Sequence, residues 1–427
     1  MNTESVVEFL SEIPLIQRLP SSSVTKIAEL VKVKHYDEGK FVIPNGECEG
    51  VYFILEGEAE VLWYSVEAIH LDPVLKRYDY FGCGVTAYVV VASSKLTCLV
   101  LASQHCGLLQ PKSIWDALER QENAPVESIL QLDPIKVNLF QAITLPYALR
   151  LRNVFGGQLI GHALAAASKT VDCSKTVHHL QAYFLLVGDN NIPIKYEVHR
   201  VHDGKSFDSR RVEAVQKGNV LFTMLASFQW LFFMQKEGKG FEYQDAVMPL
   251  VPAPDMSLPL EELRERRIID PRLPRTFRNK MAITKYEFSP IEIRFCYPDI
   301  STKQTKSLPR LKYWFRAKGK LSDDQALHRC VVAYTSDILF LEVSGNPHRQ
   351  SGLKLRVLSL NHTMWFHRPV KADDWLLFVI KSPSSFADRG VVLGQMFNQN
   401  GELVVTALQE GLLRVAREPH TTIKPKL

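Results

Sequence analysis

Residues 196–229, YEVHRVHDGKSFDSRRVEAVQKGNVLFTMLASFQ, and residues 376–410, LLFVIKSPSSFADRGVVLGQMFNQNGELVVTALQE, are two versions of one pattern. Each version predicts strand, turn, strand, turn, strand, because strand-forming residues alternate with turn residues. Such self-similarity predicts one structural unit made twice. The matched positions are Ser206-Phe207 with Ser385-Phe386, Arg210 with Arg389, Val212 with Val391, the turn residues Gly218 with Gly401 and, across a small gap, Gln229 with Gln409.

An apolar segment of helical length precedes each version. These segments are GGQLIGHALAAASKTV at 156–171 and DDQALHRCVVAYTSDILFLEV at 323–343. A helix that is apolar nearly all round must be buried. A long antiparallel sheet around one buried helix, made twice, is the tandem (double) hot-dog architecture. We therefore predict an α+β protein whose first hot-dog unit spans 136–236, whose inter-unit linker spans 237–275, and whose second unit spans 276–417.

The N-terminal residues 1–118 predict a different, smaller domain. Serines can cap a helix in SSSVTKIAELVKV, and short strands broken by glycines follow it. Residues 51–56 stand between Gly50 and Gly57 and predict one of these strands. The pattern is typical of a small antiparallel β-roll. A polar, proline-bearing linker is predicted at 119–135, and residues 418–427 form a polar tail.

Composition limits the partners and the compartment. The net charge is +5 without a polybasic run, so we expect no nucleic-acid partner. The seven cysteines are odd in number and form no C-x-x-C pair, which predicts reduced thiols and no disulfide framework. The N-terminus does not resemble a secretory signal, and no apolar run reaches the roughly 18 residues of a membrane span.

The C-terminus, Pro425-Lys426-Leu427, resembles the peroxisomal address Ser-Lys-Leu. We therefore expect the peroxisomal import receptor to be a partner through this tripeptide. The expected location is the peroxisome, with the cytoplasm as the second choice.

Several long motifs together resemble the type II acyl-CoA thioesterases over about residues 130–417. They are VFGGQLIGHALAAASKTV, YFLLVGD, DGKSFDSRRVEAVQKG, LNHTMWFHRP and LQEGLLR. The β-roll in front of them resembles the cyclic-nucleotide-binding-like domain of the plant members. This resemblance implies an enzyme that hydrolyses fatty acyl-CoA to free fatty acid and CoA without a cofactor. Because hot-dog units often pair their sheets, we also expect a homo-oligomer.

Two other functions stay open at this point. One is a non-catalytic acyl-CoA-binding regulatory protein with a sensor domain. The other is a different hot-dog enzyme such as an enoyl-CoA hydratase.

The predicted chemistry is attack by water, because the sequence lacks G-x-S-x-G, H-E-x-x-H, G-x-G-x-x-G and a P-loop. A thioester is already activated, so the enzyme need only aim a water and stabilise an oxyanion. Asp337 is predicted inside the second buried helix, where an ionised carboxylate is costly unless it is hydrogen-bonded. The resemblance implies that Asp337 is the base and that Ser359 and Gln409 help it to orient the water.

Substrate binding has several weaker candidates. Backbone near the two glycines of VFGGQ could approach an oxyanion, and paired arginines could bind CoA phosphates or form a strand-edge salt bridge. No metal is expected, since the histidines match no common zinc spacing. His362 and His367 are expected to be structural. The substrate-binding candidates are Gly156, Gly157, Gln158, His178, Arg210 and Arg211.

Three features depart from the family pattern. Asn361 stands where members usually carry Asp, and we expect activity to survive. The cassette that begins at Phe81 has Cys83 in place of a glutamate, and Lys95 is the only cation in the stretch where an arginine is usual. Because an ammonium cannot reproduce a bidentate guanidinium contact, we expect nucleotide binding to be lost. Residues 230–235 add apolar side chains where the family continues into a polar linker.

Overall fold

A computed structural model describes residues 2–17, 19, 21–44, 48–62, 74–82, 88–109, 124–145, 148, 153–230, 242–273, 275–283, 289–296, 308–349 and 355–415. The chain divides into two compact units. The first comprises Met1–Arg120 and Leu258–Tyr286, and the second comprises Gln121–Ser257 and Glu287–Leu427.

The N-terminal part of the first unit is a β-roll with helices packed against it, as the sequence predicted. Its elements are α1 (Thr3–Ser11), α2 (Pro14–Gln17), α3 (Ser21–Leu30), β1 (Lys32–Tyr36), β2 (Phe41–Ile43), β3 (Gly50–Glu56), β4 (Ala59–Leu62), β5 (Val74–Leu75), β6 (Tyr80–Phe81), β7 (Val89–Ala92), β8 (Leu96–Ala102) and the 3-10 helix Ser103–Leu109. The described strands form two antiparallel sheets, ordered β1-β8-β3-β6 and β2-β7-β4-β5.

Strand β3 shows why this domain folds. Successive side chains on a strand point to opposite faces. Val51 and Phe53 pack in the core formed with α1–α3, whereas Tyr52 and Ile54 pack in the core of the roll. A strand that serves two cores needs apolar or aromatic side chains on both faces, as residues 51–54 have.

The first half of the second unit contains the predicted helix and strand triplet. Its elements are α4 (Pro125–Ile129), β9 (Asp133–Lys136), β10 (Leu139–Ala142), α5 (Gly156–Ser168), β11 (Lys175–Phe184), β12 (Ile194–Asp203), β13 (Phe207–Gln216) and β14 (Asn219–Trp230). The predicted linker at 119–135 is structured where it is described, because α4 buries Val126 and Ile129. Of residues 230–235, only Trp230 lies among the described residues, at the end of β14.

Residues 258–286 differ from the predicted boundaries. The sequence divides them between an inter-unit linker and the second hot-dog unit, whereas the structure groups them with the first unit. They form β15 (Leu258–Pro259), α6 (Leu260–Ile268) and α7 (Arg275–Ile283). Ile268 and Ala282 are buried in the same core as α1–α3. In addition, Arg278 donates to the backbone carbonyl of Tyr80. These contacts join residues far apart in sequence, which a composition-based boundary cannot detect.

The second half repeats the helix and strand triplet. Its elements are β16 (Ile291–Phe295), β17 (Arg310–Ala317), α8 (Gln325–Ser336), the 3-10 helix Leu341–Gly345, α9 (Asn346–Arg349), β18 (Leu355–Phe366), β19 (Leu376–Phe386), β20 (Arg389–Asn398) and β21 (Leu403–Val415). Within the second unit the sheet runs β16-β17-β19-β20-β21-β18-β11-β14-β13-β12-β10-β9, with antiparallel neighbours. The predicted double hot-dog fold is confirmed.

Helices α5 and α8 lie against each other closely enough to exclude a side chain. A Cβ atom built on Gly157 would lie 2.2 Å from the backbone oxygen of Tyr334. The Phe155 and Tyr334 rings meet edge to face with centroids 5.3 Å apart. The start of α5 is therefore held beside the end of α8. Of the described helices, none is long and apolar enough to cross a membrane.

Candidate active site

Asp337 lies one residue beyond the last residue of α8. It is the C-cap residue and not, as predicted, part of the helix interior, because α8 ends at Ser336. Its carboxylate accepts a hydrogen bond from Nε2 of Gln409 at 2.8 Å and another from the backbone N–H of Gly157. The residue is partly buried, and loss of water around its carboxyl group raises the pKa from 3.8 to about 6 against the opposing effect of these bonds.

Gln409 links the other two predicted catalytic side chains. Its Nε2 atom donates both to Asp337 Oδ1, at 2.8 Å, and to Ser359 Oγ, at 2.9 Å. Gln409 lies on β21 and is fully buried, whereas Ser359 lies on the neighbouring β18, at a bulge in the pairing. The structure therefore brings Asp337, Ser359 and Gln409 together from one helix end and two strands.

The start of α5 forms another side of this cluster. A Cβ atom built on Gly156 would lie 2.6 Å from Asp337 Oδ2 and 3.0 Å from a ring carbon of Phe184. Backbone at Gly156 and Gly157 thus approaches the carboxylate as no residue with a side chain could. Two of the predicted binding residues are therefore beside the cluster. Phe184 was not identified from the sequence, because its strand position gives no sign of what its ring touches.

The other predicted binding residues have different surroundings. Gln158 is buried and donates to Thr144 Oγ1 at 2.9 Å. His178 contacts Ser227 Oγ at 2.9 Å and lies roughly 20 Å from Phe184 along β11, at about 3.3 Å per residue. The structure does not bring His178 to the carboxylate of Asp337.

The two arginines also differ from each other. Arg210 is fully buried and donates to Thr170 Oγ1, to the backbone of His202 and to Asp203. Its guanidinium therefore stabilises the first half of the sheet. Arg211 is half-exposed, with Nε 3.5 Å from Glu213 Oε1, which is the strand-edge pair left open as the alternative.

Sheet register shows how the two halves correspond. Strands β11 and β18 each pair with the last strand of their own half through a bulge, at Val177/His179 in one and at Ser359/Asn361 in the other. Val177 therefore stands where Ser359 stands. Counting on along the pairs, Leu180 faces Ala226, as His362 faces Gln409.

This correspondence corrects the sequence alignment at Gln229. The residue equivalent to Gln409 is Ala226, whereas Gln229 pairs with Thr176 and Phe207, three positions further along β14. The C-cap residue of α5 is Lys169, where α8 has Asp337. Among the described residues, the cluster is therefore built only once.

Asn361 replaces the family carboxylate in a place where an amide suits its neighbour. Its Nδ2 donates to Glu410 Oε2 at 3.2 Å, and the backbone N–H of Glu410 donates to Asn361 Oδ1 at 3.3 Å. Glu410 also lies 3.3 Å from Arg389. An aspartate at 361 would face a second carboxylate across the strands, so Asn361 fits this surface pair.

His362 is a buried polar side chain that lies directly opposite Gln409 in the sheet. The two residues form one cross-strand pair, and both are fully buried. Burial lowers the pKa of His362 to about 4, although the interaction of its ring with the Gln409 side chain opposes this effect. Within the described part of the chain, no group of three or more His, Cys, Asp or Glu side chains is arranged to hold a metal.

The second unit matches one protein family along both of its halves. A family model described as acyl-CoA thioesterase matches residues 294–412, and one described as acyl-CoA thioesterase N-terminal domain matches residues 148–229. Acyl-coenzyme A thioesterase 8 from Homo sapiens is 36% identical over 291 residues, which are 68% of this chain and 89% of that protein. The chain therefore belongs to the acyl-CoA thioesterase family.

Two further relatives agree with this membership. The crystal structure of an acyl-CoA thioesterase II from Mycobacterium marinum is 35% identical, covers 68% of this chain and 98% of its own, and has a TM-score of 0.53. Peroxisomal acyl-coenzyme A thioester hydrolase 1 from Saccharomyces cerevisiae is 24% identical and covers 67% of this chain and 93% of its own. The predicted enzyme class, an acyl-CoA thioester hydrolase, is confirmed.

The N-terminal part resembles a different kind of protein. A cAMP-dependent protein kinase regulatory subunit from Mycosarcoma maydis is 36% identical over 76 residues, which are 18% of this chain and 14% of that protein. Of the cassette, Phe81 and Gly82 are described, whereas Cys83 and Gly84 lie outside the described residues. Lys95 is exposed.

A base with the pKa of Asp337 gives a definite pH profile. Because Asp337 must be ionised to accept a proton, kcat/KM should fall about tenfold per pH unit below about pH 6 and level off above it. Steady-state rates across this pH range test the expectation. A pantetheine thioester, which has no phosphate, controls for the CoA phosphate, whose own pKa is about 6. A flat profile well below pH 6 would contradict the base role.

Proposed function

We propose that the protein hydrolyses fatty acyl-CoA to a free fatty acid and CoA, with a water molecule oriented by Asp337, Ser359 and Gln409. The observation that carries this proposal is the bridging amide of Gln409, within 2.9 Å of both Asp337 and Ser359. Polar groups lose water when they come together at such a site, and the hydrogen bonds among them offset this cost.

The proton transfer follows from the charges of the three groups. Gln409 uses both amide protons, which leaves Asp337 to accept a proton and the Ser359 hydroxyl to donate one. The water would donate to Asp337 and accept from Ser359 while its oxygen attacks the thioester carbonyl. The tetrahedral intermediate would then expel the CoA thiolate, which Asp337 would reprotonate.

The raised pKa of Asp337 suits this task. An aspartate at its ordinary pKa of about 3.9 is a weak base at neutral pH, whereas one near 6 is stronger and is still mostly ionised. The amino end of α5 lies against the same carboxylate, and the dipole of this helix stabilises nearby negative charge. This end of the helix is our candidate for stabilising the oxyanion.

Replacing the base gives the sharpest test of the mechanism. Asp337→Asn keeps the size of the side chain but removes its basicity, so kcat should fall by about 10²–10⁴-fold with little change in KM. Ser359→Ala and Gln409→Ala should also lower kcat, and the losses should not add, because all three residues serve one water. Hydrolysis is measured by release of the CoA thiol with purified protein.

Asn361→Asp is the matched control, because Asn361 lies on β18 two residues beyond Ser359. It should change kcat much less, because its partner is Glu410 and not the cluster. A folded Asp337→Asn enzyme with near-normal turnover would overturn the assignment. A wild-type protein that binds acyl-CoA without releasing CoA would instead favour the regulatory alternative.

We also propose that the tail Pro425-Lys426-Leu427 directs the protein to peroxisomes. It resembles a known peroxisomal address, and the yeast relative is named as peroxisomal. The tripeptide lies outside the described residues.

Deleting Lys426 and Leu427 from a protein labelled at its N-terminus should leave it in the cytosol. Thr421→Ala, upstream of the tripeptide, should not change the location. A truncated protein that still reached peroxisomes would refute this role.

We infer, finally, that copies of the chain associate through the outer face of the sheet. Tyr183, Leu225 and Trp365 are 46%, 50% and 38% exposed on the neighbouring strands β11, β14 and β18. Gln181 pairs with Leu225 and with Thr363, so the three exposed side chains lie on one face of the sheet.

Sedimentation should show a wild-type oligomer and a smaller species for Leu225→Lys. Phe386→Lys, at a strand end, should keep the wild-type size, and a monomeric wild type would contradict the inference.

A further inference from the structure

We propose that His362 is a positioning residue: it holds the amide of Gln409 so that both amide N–H groups point to Asp337 and Ser359. The proposal rests on the proposed function, because it assigns a role within the same cluster. The sequence predicts that His362 is structural, whereas the proposal gives this buried histidine a part in the reaction.

The first step concerns the oxygen of Gln409. Both protons of its amide are committed, one to Asp337 Oδ1 and one to Ser359 Oγ. Its Oε1 atom is fully buried and has no well-formed hydrogen bond. A buried amide oxygen without a donor is destabilising, because it has lost its water and gained no partner. If the amide flipped, oxygen would face the carboxylate of Asp337 and the water would lose its orientation.

The second step identifies the donor. His362 lies directly opposite Gln409 in the pairing of β18 with β21. Its Nδ1 atom is also buried without a well-formed hydrogen bond, and its side chain interacts with that of Gln409. Two orphaned polar atoms in facing residues match each other if Nδ1 carries the proton. The Nδ1–H group then donates to Gln409 Oε1.

The third step concerns the partner that would hold His362 in that tautomer. Its Nε2 atom lies 3.0 Å from the hydroxyl oxygen of Ser336, the last residue of α8. A neutral imidazole has one donor and one acceptor nitrogen. The single hydroxyl proton of Ser336 can go to Nε2 or to the backbone carbonyl oxygen of Ala333, which lies 2.8 Å from the hydroxyl oxygen. The proposal requires the first arrangement, in which Ser336 donates to Nε2 and the proton of His362 is on Nδ1. The Phe340 ring, with its centroid 5.7 Å away, packs against the imidazole.

The resulting chain of hydrogen bonds runs from a helix end to the reacting water. In this arrangement Ser336 donates to His362, His362 donates to Gln409, and Gln409 donates to Asp337 and Ser359. Ser336, the residue before Asp337, therefore acts through His362 on Gln409, and Gln409 in turn orients the carboxylate of Asp337. None of these steps requires His362 to touch the substrate.

Two substitutions separate positioning from simple packing. In His362→Asn the side-chain nitrogen can take the place of Nδ1, and in His362→Gln it can take the place of Nε2. We expect His362→Asn to keep kcat within a few-fold. His362→Gln should lower kcat by about 10-fold to 10²-fold, a cost typical of a misplaced reacting group, with KM little changed. Thermal unfolding would establish that both variants are folded.

The Gln409→Ala background provides the control for mechanism. If His362 acts through Gln409, the difference between the two variants should disappear there. Equal losses in folded His362→Asn and His362→Gln would overturn the proposal, as would a difference that persists without Gln409. A wild-type protein that does not hydrolyse acyl-CoA would instead count against the proposed function.

A measurement on the wild type decides the matter if the variants do not fold. Neutron diffraction from deuterated crystals locates the exchangeable proton of His362 directly. Deuterium on Nδ1, facing Gln409 Oε1, is the expected result. Deuterium on Nε2 alone would overturn the proposal, whatever the activity of the enzyme.

Discussion

The close contact between the start of α5 and the end of α8 is the constraint on which the candidate site depends. Gly157 leaves no room for a side chain against the carbonyl oxygen of Tyr334, so the two helices meet backbone to backbone. Asp337, the first residue beyond α8, is thereby held at the amino end of α5. The amino end of α5 favours a negative charge there and offsets part of the cost of burying it, whereas the carboxyl end of α8 opposes it. Wider spacing would leave the carboxylate in water.

The basicity of Asp337 depends on a balance of opposing effects. Burial raises its pKa, whereas hydrogen bonds from Gln409 and Gly157 lower it, and nearby Glu342 raises it further. With more donors the carboxylate would be a weaker base, and with fewer it would be protonated at neutral pH. A value of about 6 lies between these limits. The surrounding network therefore determines the chemistry as much as the aspartate does.

The two halves share a fold but have different roles. In the first half, apolar Val177 and Ala226 occupy the places of Ser359 and Gln409, so the corresponding strands have no cluster. One buried charged group of that half is Arg210, which is satisfied by Thr170 and by neighbouring backbone. A repeated fold needs only the hydrophobic pattern to be kept, and polar positions can then change in one copy.

The sequence by itself determined the kind of each element, because apolar helices and alternating strands follow from local periodicity. It also determined the family, and through it the three residues that the structure brings together. The tertiary structure alone decided where α8 ends, which residue faces which across the sheet, and that residues 258–286 pack with the first unit. A bulge shifts strand register by one residue, and packing joins segments far apart in sequence. The positions of Gln229 and His362 relative to the cluster therefore depend on strand pairing and tertiary packing, which cannot be predicted from local sequence patterns.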